Sequence, residues 1–229
     1  MAIKKGDFIE IEFTGMLDDG TVFDTTEEKT AKESGIHNEN SEYGNLVMCV
    51  GEGHVLSGLD TKLIGKETGK EYDFKLTAEE GFGKKDTKLL RLIATSKFTK
   101  QNIMPQPGLQ VSIDGIMGTI KSVTGGRVIV DLNHPLSGRA LEYKVKVGRL
   151  VTDSKGKANA ILKMRLGIKD AEITITESSC AIKLKSKVPK TVLDTITEEM
   201  KRLCGFSSVE YTEPEEKKAE SAKEEEKSK

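Results

Sequence analysis

The chain has 229 residues, 36% hydrophobic and 32% charged, with 36 Lys and Arg against 37 Asp and Glu for a net charge of −1. Acids and bases are interspersed, which argues against a nucleic-acid or membrane-surface partner, and no apolar run is long enough to span a bilayer. The length allows two or three small domains, while three scattered cysteines (Cys49, Cys180, Cys204) fit a reducing cytoplasm better than a disulfide framework.

Taken in order, the Met1–Asp7 start lacks the apolar core of a signal peptide. From Phe8 to Gly15, Ile9, Ile11 and Phe13 alternate with Glu10, Glu12 and Thr14, which predicts a strand with one buried face. Asp18-Asp19-Gly20 suits a hairpin turn, because Asp-Gly tolerates positive φ. Val22 and Phe23 open the returning strand and Asp24 follows; its carboxylate suits either a turn or a pocket edge. Thr25 to Tyr43 is polar and reads as a surface insertion. The apolar Leu46–Val50 strand then runs into Gly51-Glu52-Gly53 and a short helix, with Ser57 placed to cap it and Asp60 near its positive end. Leu59 and Leu63 share one face of that helix, and Gly65 can stop it. Tyr72, Phe74 and Leu76 alternate in another strand, and Phe82 follows on a loop between two glycines, as core filler or as a ligand contact.

From Lys84 to Gly126 short apolar runs and turns describe a small β-rich unit of hairpins. Val128 to Leu132 is a dense strand, and Leu141, Tyr143, Val145 and Val147 alternate in another. Asp153 to Gly156 reads as a linker, followed by a short helix over Ala158–Leu166 and two strands around Glu177-Ser178-Ser179. Val192, Leu193, Ile196, Met200 and Leu203 fall at helical spacing, and Ser207–Tyr211 suits a last strand. The end of the chain is Glu, Lys, Ala and Ser with almost nothing to bury, and reads as disordered. None of the three histidines has a metal-ligand spacing to another or to a cysteine, and Gly51-Glu52-Gly53 lacks the Lys-Ser/Thr pair of a phosphate loop.

Thr21-Val22-Phe23-Asp24, the turn and helix from Val50 to Asp60, and Gly81-Phe82-Gly83 together resemble the FKBP-type peptidyl-prolyl isomerases, in which such a turn and helix floor a proline-binding pocket. Val128-Ile129-Val130-Asp131-Leu132-Asn133-His134-Pro135-Leu136-Ser137-Gly138 is similar to the return from the insert in SlyD-like members, which carry an insert-in-flap chaperone domain. The polar insertion and the extra C-terminal unit resemble the long archaeal members. The histidine- and cysteine-rich tail of SlyD is missing, so no nickel role carries over, and no cofactor is implied.

The resemblance implies an α+β protein, an FKBP-like antiparallel sheet wrapped on a short helix. It divides the chain into an isomerase domain (1–83 and 127–152), an insert (84–126), a C-terminal α+β domain (153–211) and a charged tail (212–229). The catalytic residues it implies are Phe23, Asp24, Leu56, Phe82 and Tyr143, with Phe13, Leu46, Val55, Leu59 and Leu136 completing the pocket. Leu59, Phe82 and Leu46 stand where many relatives have Trp, Tyr and another aromatic, which weakens the case for tight macrolide binding. The chemistry needs no nucleophile or metal: a planar X–Pro amide loses conjugation on twisting, and an apolar slot favours that less dipolar state. Ile103, Met104, Leu109, Ile116 and Met117 of the insert exceed what so small a unit can bury, which leaves some of them for an adaptable surface that holds unfolded chains. The expected partners are unfolded or proline-containing polypeptides, with no nucleic acid or membrane. The C-terminal unit leaves room for pairing with a second copy. The alternative is a scaffold that holds clients with little or no isomerase activity.

Overall fold

A computed structural model describes residues 1–169 and 171–212; the charged tail expected from 212 onward lies outside the described residues apart from Thr212. The first part of the chain forms β1 (Phe8–Leu17), β2 (Val22–Thr25), α1 (Glu28–Glu33), β3 (Leu46–Cys49), α2 (Ser57–Leu63) and β4 (Glu71–Leu76). After a single 3-10 turn come β5 (Leu90–Ala94), α3 (Thr95–Thr99), β6 (Gln110–Ile113), β7 (Ile116–Thr124) and β8 (Arg127–Asp131). Then β9 (Leu141–Leu150), α4 (Ser154–Leu166), β10 (Glu172–Thr176), β11 (Ser179–Lys183), α5 (Lys190–Cys204) and β12 (Ser208–Thr212) complete it. No described helix is long and apolar enough to cross a membrane.

β1 is the spine of a five-stranded antiparallel sheet. β9 lies along one edge and carries β4, while β2 and β3 share the other edge end to end. Between them the backbone of Phe13 bonds to Thr26 instead of to a strand: Phe13 N donates to Thr26 Oγ1 at 2.9 Å, and Thr26 N to the Phe13 carbonyl at 2.9 Å. The segment from β2 to β3 leaves the sheet at this break. The alternation read in the sequence aims Ile9, Ile11, Leu141, Tyr143, Val145 and Val147 at α2, whose Leu59 and Leu63 are fully buried against them.

The sequence places the end of the insert at Gly126, and the pairing corrects this. β8 lies between β5 and β7 in a four-stranded sheet, β5-β8-β7-β6, over a core of Phe98, Val111, Ile120, Val128, Val130 and Leu132. The insert therefore includes Arg127–Asp131, and the return to the isomerase sheet is β9. A dense apolar strand fits either sheet by pattern, and only the position of its partner decides.

The C-terminal domain pairs β10 antiparallel with β11, and β11 parallel with β12 across the α5 crossover. Its core continues into the first domain. Phe8 and Cys49, on the face of β1 and β3 turned away from α2, and Val151 are buried with Ile161, Leu162, Ile196 and Met200. The linker expected at Asp153–Gly156 is the first turn of α4. The Asp153 carboxylate caps it by accepting the Gly156 N–H at 2.6 Å.

Candidate active site

Four rings converge beside the Gly15–Tyr143 pair of β1 and β9. Phe23 meets Tyr143 edge to face at a centroid distance of 5.8 Å and Phe82 at 6.1 Å; Phe13 lies 5.8 Å from Tyr143. The rings can close up because residue 15 is glycine: a Cβ there would stand 2.8 Å from Phe23 Cζ and 3.0 Å from Tyr143 Cε1. Leu46, Val55, Leu56 and Leu136 pack half-buried on the same cluster, with Leu59 wholly buried beneath them. Nine of the ten residues that the sequence resemblance assigned to the pocket belong to this one apolar cluster, and Asp24 lies beside it with Phe13, Phe23 and Leu46. Leu59 belongs to its foundation, not to its wall.

Phe82 is placed by the loop that follows the insert. Its ring stacks on His134 at 4.3 Å and 8°, its carbonyl accepts the Ser137 hydroxyl at 3.0 Å, and the Gly138 N–H donates to the Gly83 carbonyl at 2.8 Å. At the neck of the insert Asn133 bonds twice to Asp86: its Oδ1 accepts the Asp86 N–H at 2.8 Å and its Nδ2 donates to the Asp86 carbonyl at 3.0 Å.

The turn before α2 is held from both sides. Asp60 does not serve the helix end, as its position in the sequence suggested. It is buried, and its carboxylate accepts the N–H groups of Gly51 at 2.7 Å and Gly53 at 3.0 Å. Ser57 opens the helix without a side-chain capping bond, since Leu56 is the cap residue. Among the described residues the Leu56 N–H donates to no protein acceptor.

The C-terminal domain grips the same turn, and nothing local in the sequence announced this. Arg202 makes a two-fold hydrogen bond to Glu52 at 2.8 and 2.7 Å, and Arg165 makes one to Glu199 at 2.9 and 2.8 Å. Arg165 also donates to the Glu52 carbonyl at 3.1 Å. His54 Nδ1 accepts the Cys49 N–H at 3.0 Å, so in the neutral ring the proton sits on Nε2, which faces Glu199 Oε1 at 3.5 Å. Burial, reinforced by Arg165, pushes the His54 pKa down against the opposing pull of Glu199. Burial opposes ionisation of Glu199, but the Arg165 bonds outweigh it, and its pKa ends below the usual carboxylate value.

Asp24 is exposed as a residue, yet desolvation beside the rings raises its pKa above the ordinary carboxylate value. Burial, then the Asp24 charge, raises the Tyr143 phenol, which stays neutral. Burial pushes the Cys49 thiol up to about 12, which leaves it without nucleophilic use. Among the described residues no three His, Cys, Asp or Glu side chains converge as a metal would need. The site is apolar, with one carboxylate at its edge.

The insert turns apolar side chains outward. Met104 is 78% exposed and Met117 61%, while Leu109 and Ile116 are also exposed. Ile103 is a correction: it is half-buried against the core of the insert and offers little surface. Leu90, Leu92 and Ile129 add to the exposed set; cross-strand pairing puts Leu92 opposite Ile129 on the face away from Val128 and Val130. For Ile129, alternation with the buried Val128 and Val130 was the signal that could have found it.

A model of the FKBP-type peptidyl-prolyl cis-trans isomerases matches residues 1–99, and one of the FKBP26 IF domain matches 91–136, which includes β8. The chain is 34% identical over 145 residues to the short-type peptidyl-prolyl cis-trans isomerase of Methanocaldococcus jannaschii, covering 63% of this chain and 92% of that one. It is 26% identical over 151 residues to the FKBP-type isomerase SlyD of Treponema pallidum, covering 64% and 77%. It is 24% identical over 151 residues to the FKBP-type 16 kDa isomerase of Escherichia coli, covering 64% and 92%.

Proposed function

Since the chain belongs to the FKBP-type peptidyl-prolyl cis-trans isomerases, we propose that X–Pro bonds turn in the slot among Phe23, Leu56, Phe82 and Tyr143, and that the insert holds the unfolded chains that carry them. The observation behind this is the convergence of those side chains on one cluster from four separate segments. The planar amide resists rotation with a barrier of ~18–20 kcal/mol. As it twists, the carbonyl loses negative charge and the nitrogen regains its lone pair. An apolar slot solvates that state better than the planar one, while the rings hold the proline and the preceding residue rotates. The Leu56 N–H holds a substrate carbonyl. Asp24 sits at the rim, where its charge interacts with the twisting imide or with Tyr143. Lowering the barrier by ~4 kcal/mol gives a rate gain of roughly a thousandfold.

The exposed Met104, Leu109, Ile116 and Met117, with Leu90, Leu92 and Ile129, suit a surface for unfolded polypeptide, because methionines repack against many sequences. Holding a client there raises the local concentration of its prolines at the slot. Three unpaired cysteines favour a cytoplasmic protein. For the C-terminal domain we add a second copy of the chain as partner, which sedimentation of the full-length protein tests directly.

A protease-coupled assay on an Ala-Pro peptide tests the slot. Phe23→Ala and Asp24→Ala each lower turnover while the far-ultraviolet circular dichroism stays that of the parent. Unchanged turnover in both removes the assignment.

A further inference from the structure

We infer that the peptide groove does not end at the proline slot but runs on into a second subsite, walled by the C-terminal domain, that selects acidic side chains flanking the proline. This rests on the isomerase reading of the slot. The observation is a cavity of about 410 Å³ whose near wall is Phe13, Phe23, Asp24 and Leu46 and whose far wall includes Glu42, Lys163 and Lys169. Two of these three far-wall charges come from the end of α4 and the turn after it, so the subsite exists only where the C-terminal domain meets the segment between β2 and β3.

The size falls in the range of ligand sites, roughly 300–1,000 Å³, enough for a few extended residues. Its charge is asymmetric. Asp24 marks the end nearest the rings. At the other end one carboxylate, Glu42, is shared by two ammonium groups, Lys163 in direct contact and Lys169 at 3.6 Å. Lys169 also donates to the Asn40 carbonyl at 3.4 Å, which ties the segment to the domain. Hydrogen bonding to Lys163 holds the Glu42 pKa below its usual value, so the carboxylate is ionised, and among the described residues of this wall two ammonium groups face one carboxylate. The lysines remain half-exposed, with their ammonium groups within reach of a ligand. An acidic residue of a bound chain is repelled from the rim at Asp24 and attracted to this wall. A basic residue meets the reverse.

The test compares three peptides with the full-length protein: a short Ala-Pro peptide, and two longer ones carrying Glu or Lys about three extended residues, roughly 10 Å, from the proline. On one flank of the proline, kcat/KM for the Glu peptide exceeds that for the Lys peptide by about two- to fivefold at low salt, a preference that salt screens away. Lys169→Glu reverses the preference, and Lys163→Ala with Lys169→Ala abolishes it. Equal rates for the Glu and Lys peptides on both flanks, or a preference that both variants leave intact, overturn the subsite. In either case the short peptide still turns over. No turnover of the short peptide by the parent protein overturns the isomerase reading and the subsite with it.

Discussion

The isomerase domain carries two additional units and is joined to them in opposite ways. The insert has a core of its own and meets its host at a neck, where Asn133 ties to Asp86 and Lys85 reaches Asp131 at 3.2 Å. The C-terminal domain has no separate core: Phe8, Cys49 and Val151 of its host are built into it, and its arginines and Glu199 grip the turn that leads to Leu56. The first arrangement presents a surface. The second supports the turn before α2, and a unit that carries no recognisable chemistry by sequence acquires a role through what it touches.

Four perturbations test that contrast. The largest effect is expected from Glu199→Ala, which removes the carboxylate that pairs with Arg165 and faces His54 Nε2; breaking a fully buried pair costs about 3–5 kcal/mol, and solvent at the half-exposed Arg165 reduces that here. It appears as a lower urea midpoint together with weaker peptide turnover, and a loss confined to stability breaks the link between the domain and the turn. Next, replacing the insert beyond its neck by a short loop leaves Ala-Pro peptide turnover within about twofold, while catalysis of proline-limited refolding falls roughly ten- to a hundredfold as the local concentration of client is lost. A parallel fall on the peptide makes the insert part of the slot.

Mild acidification acts first on the C-terminal contact, where His54 is buried. His54 is buried neutral with a pKa below its ordinary 6.5, so its contribution is present above that pH and drains away as pH falls from 6.5 toward the lowered value. Arg202 and Arg165 hold Glu52 and Glu199 below the ordinary 4.5, and their contribution is lost only under more acid conditions. His54→Gln therefore flattens the urea midpoint between about pH 5 and 7; an unchanged slope excludes His54 as its source. The smallest stability change belongs to Leu92→Ser on the insert, within about 0.5 kcal/mol, since Leu92 is 59% exposed. Its readout is weaker suppression of aggregation of an unfolded client.

Strand alternation and glycine turns made the isomerase sheet and α2 legible, and the resemblance supplied the pocket residues. What stayed hidden depends on partners distant in the chain. Val128–Leu132 reads the same whether it pairs with β1 or with β5. Phe8 begins an alternating strand on the face expected to be wet, yet it is buried because α4 arrives from the far end of the chain. Glu52 and Arg202 lie 150 residues apart, and neither differs by pattern from any solvated charge. Gly15 looks like the end of a strand until the rings of Phe23 and Tyr143 are seen to close over it.

The neck of the insert has a practical consequence. Asp86 and Asn133 lie side by side, a hydrogen bond apart in space though 47 residues apart in sequence. The guest thus enters and leaves its host at adjoining points, the geometry of a cassette that can be exchanged or grafted onto another loop. The knot also lies between the guest and the Phe82–His134 stack, so a swap made beyond it leaves that stack seated.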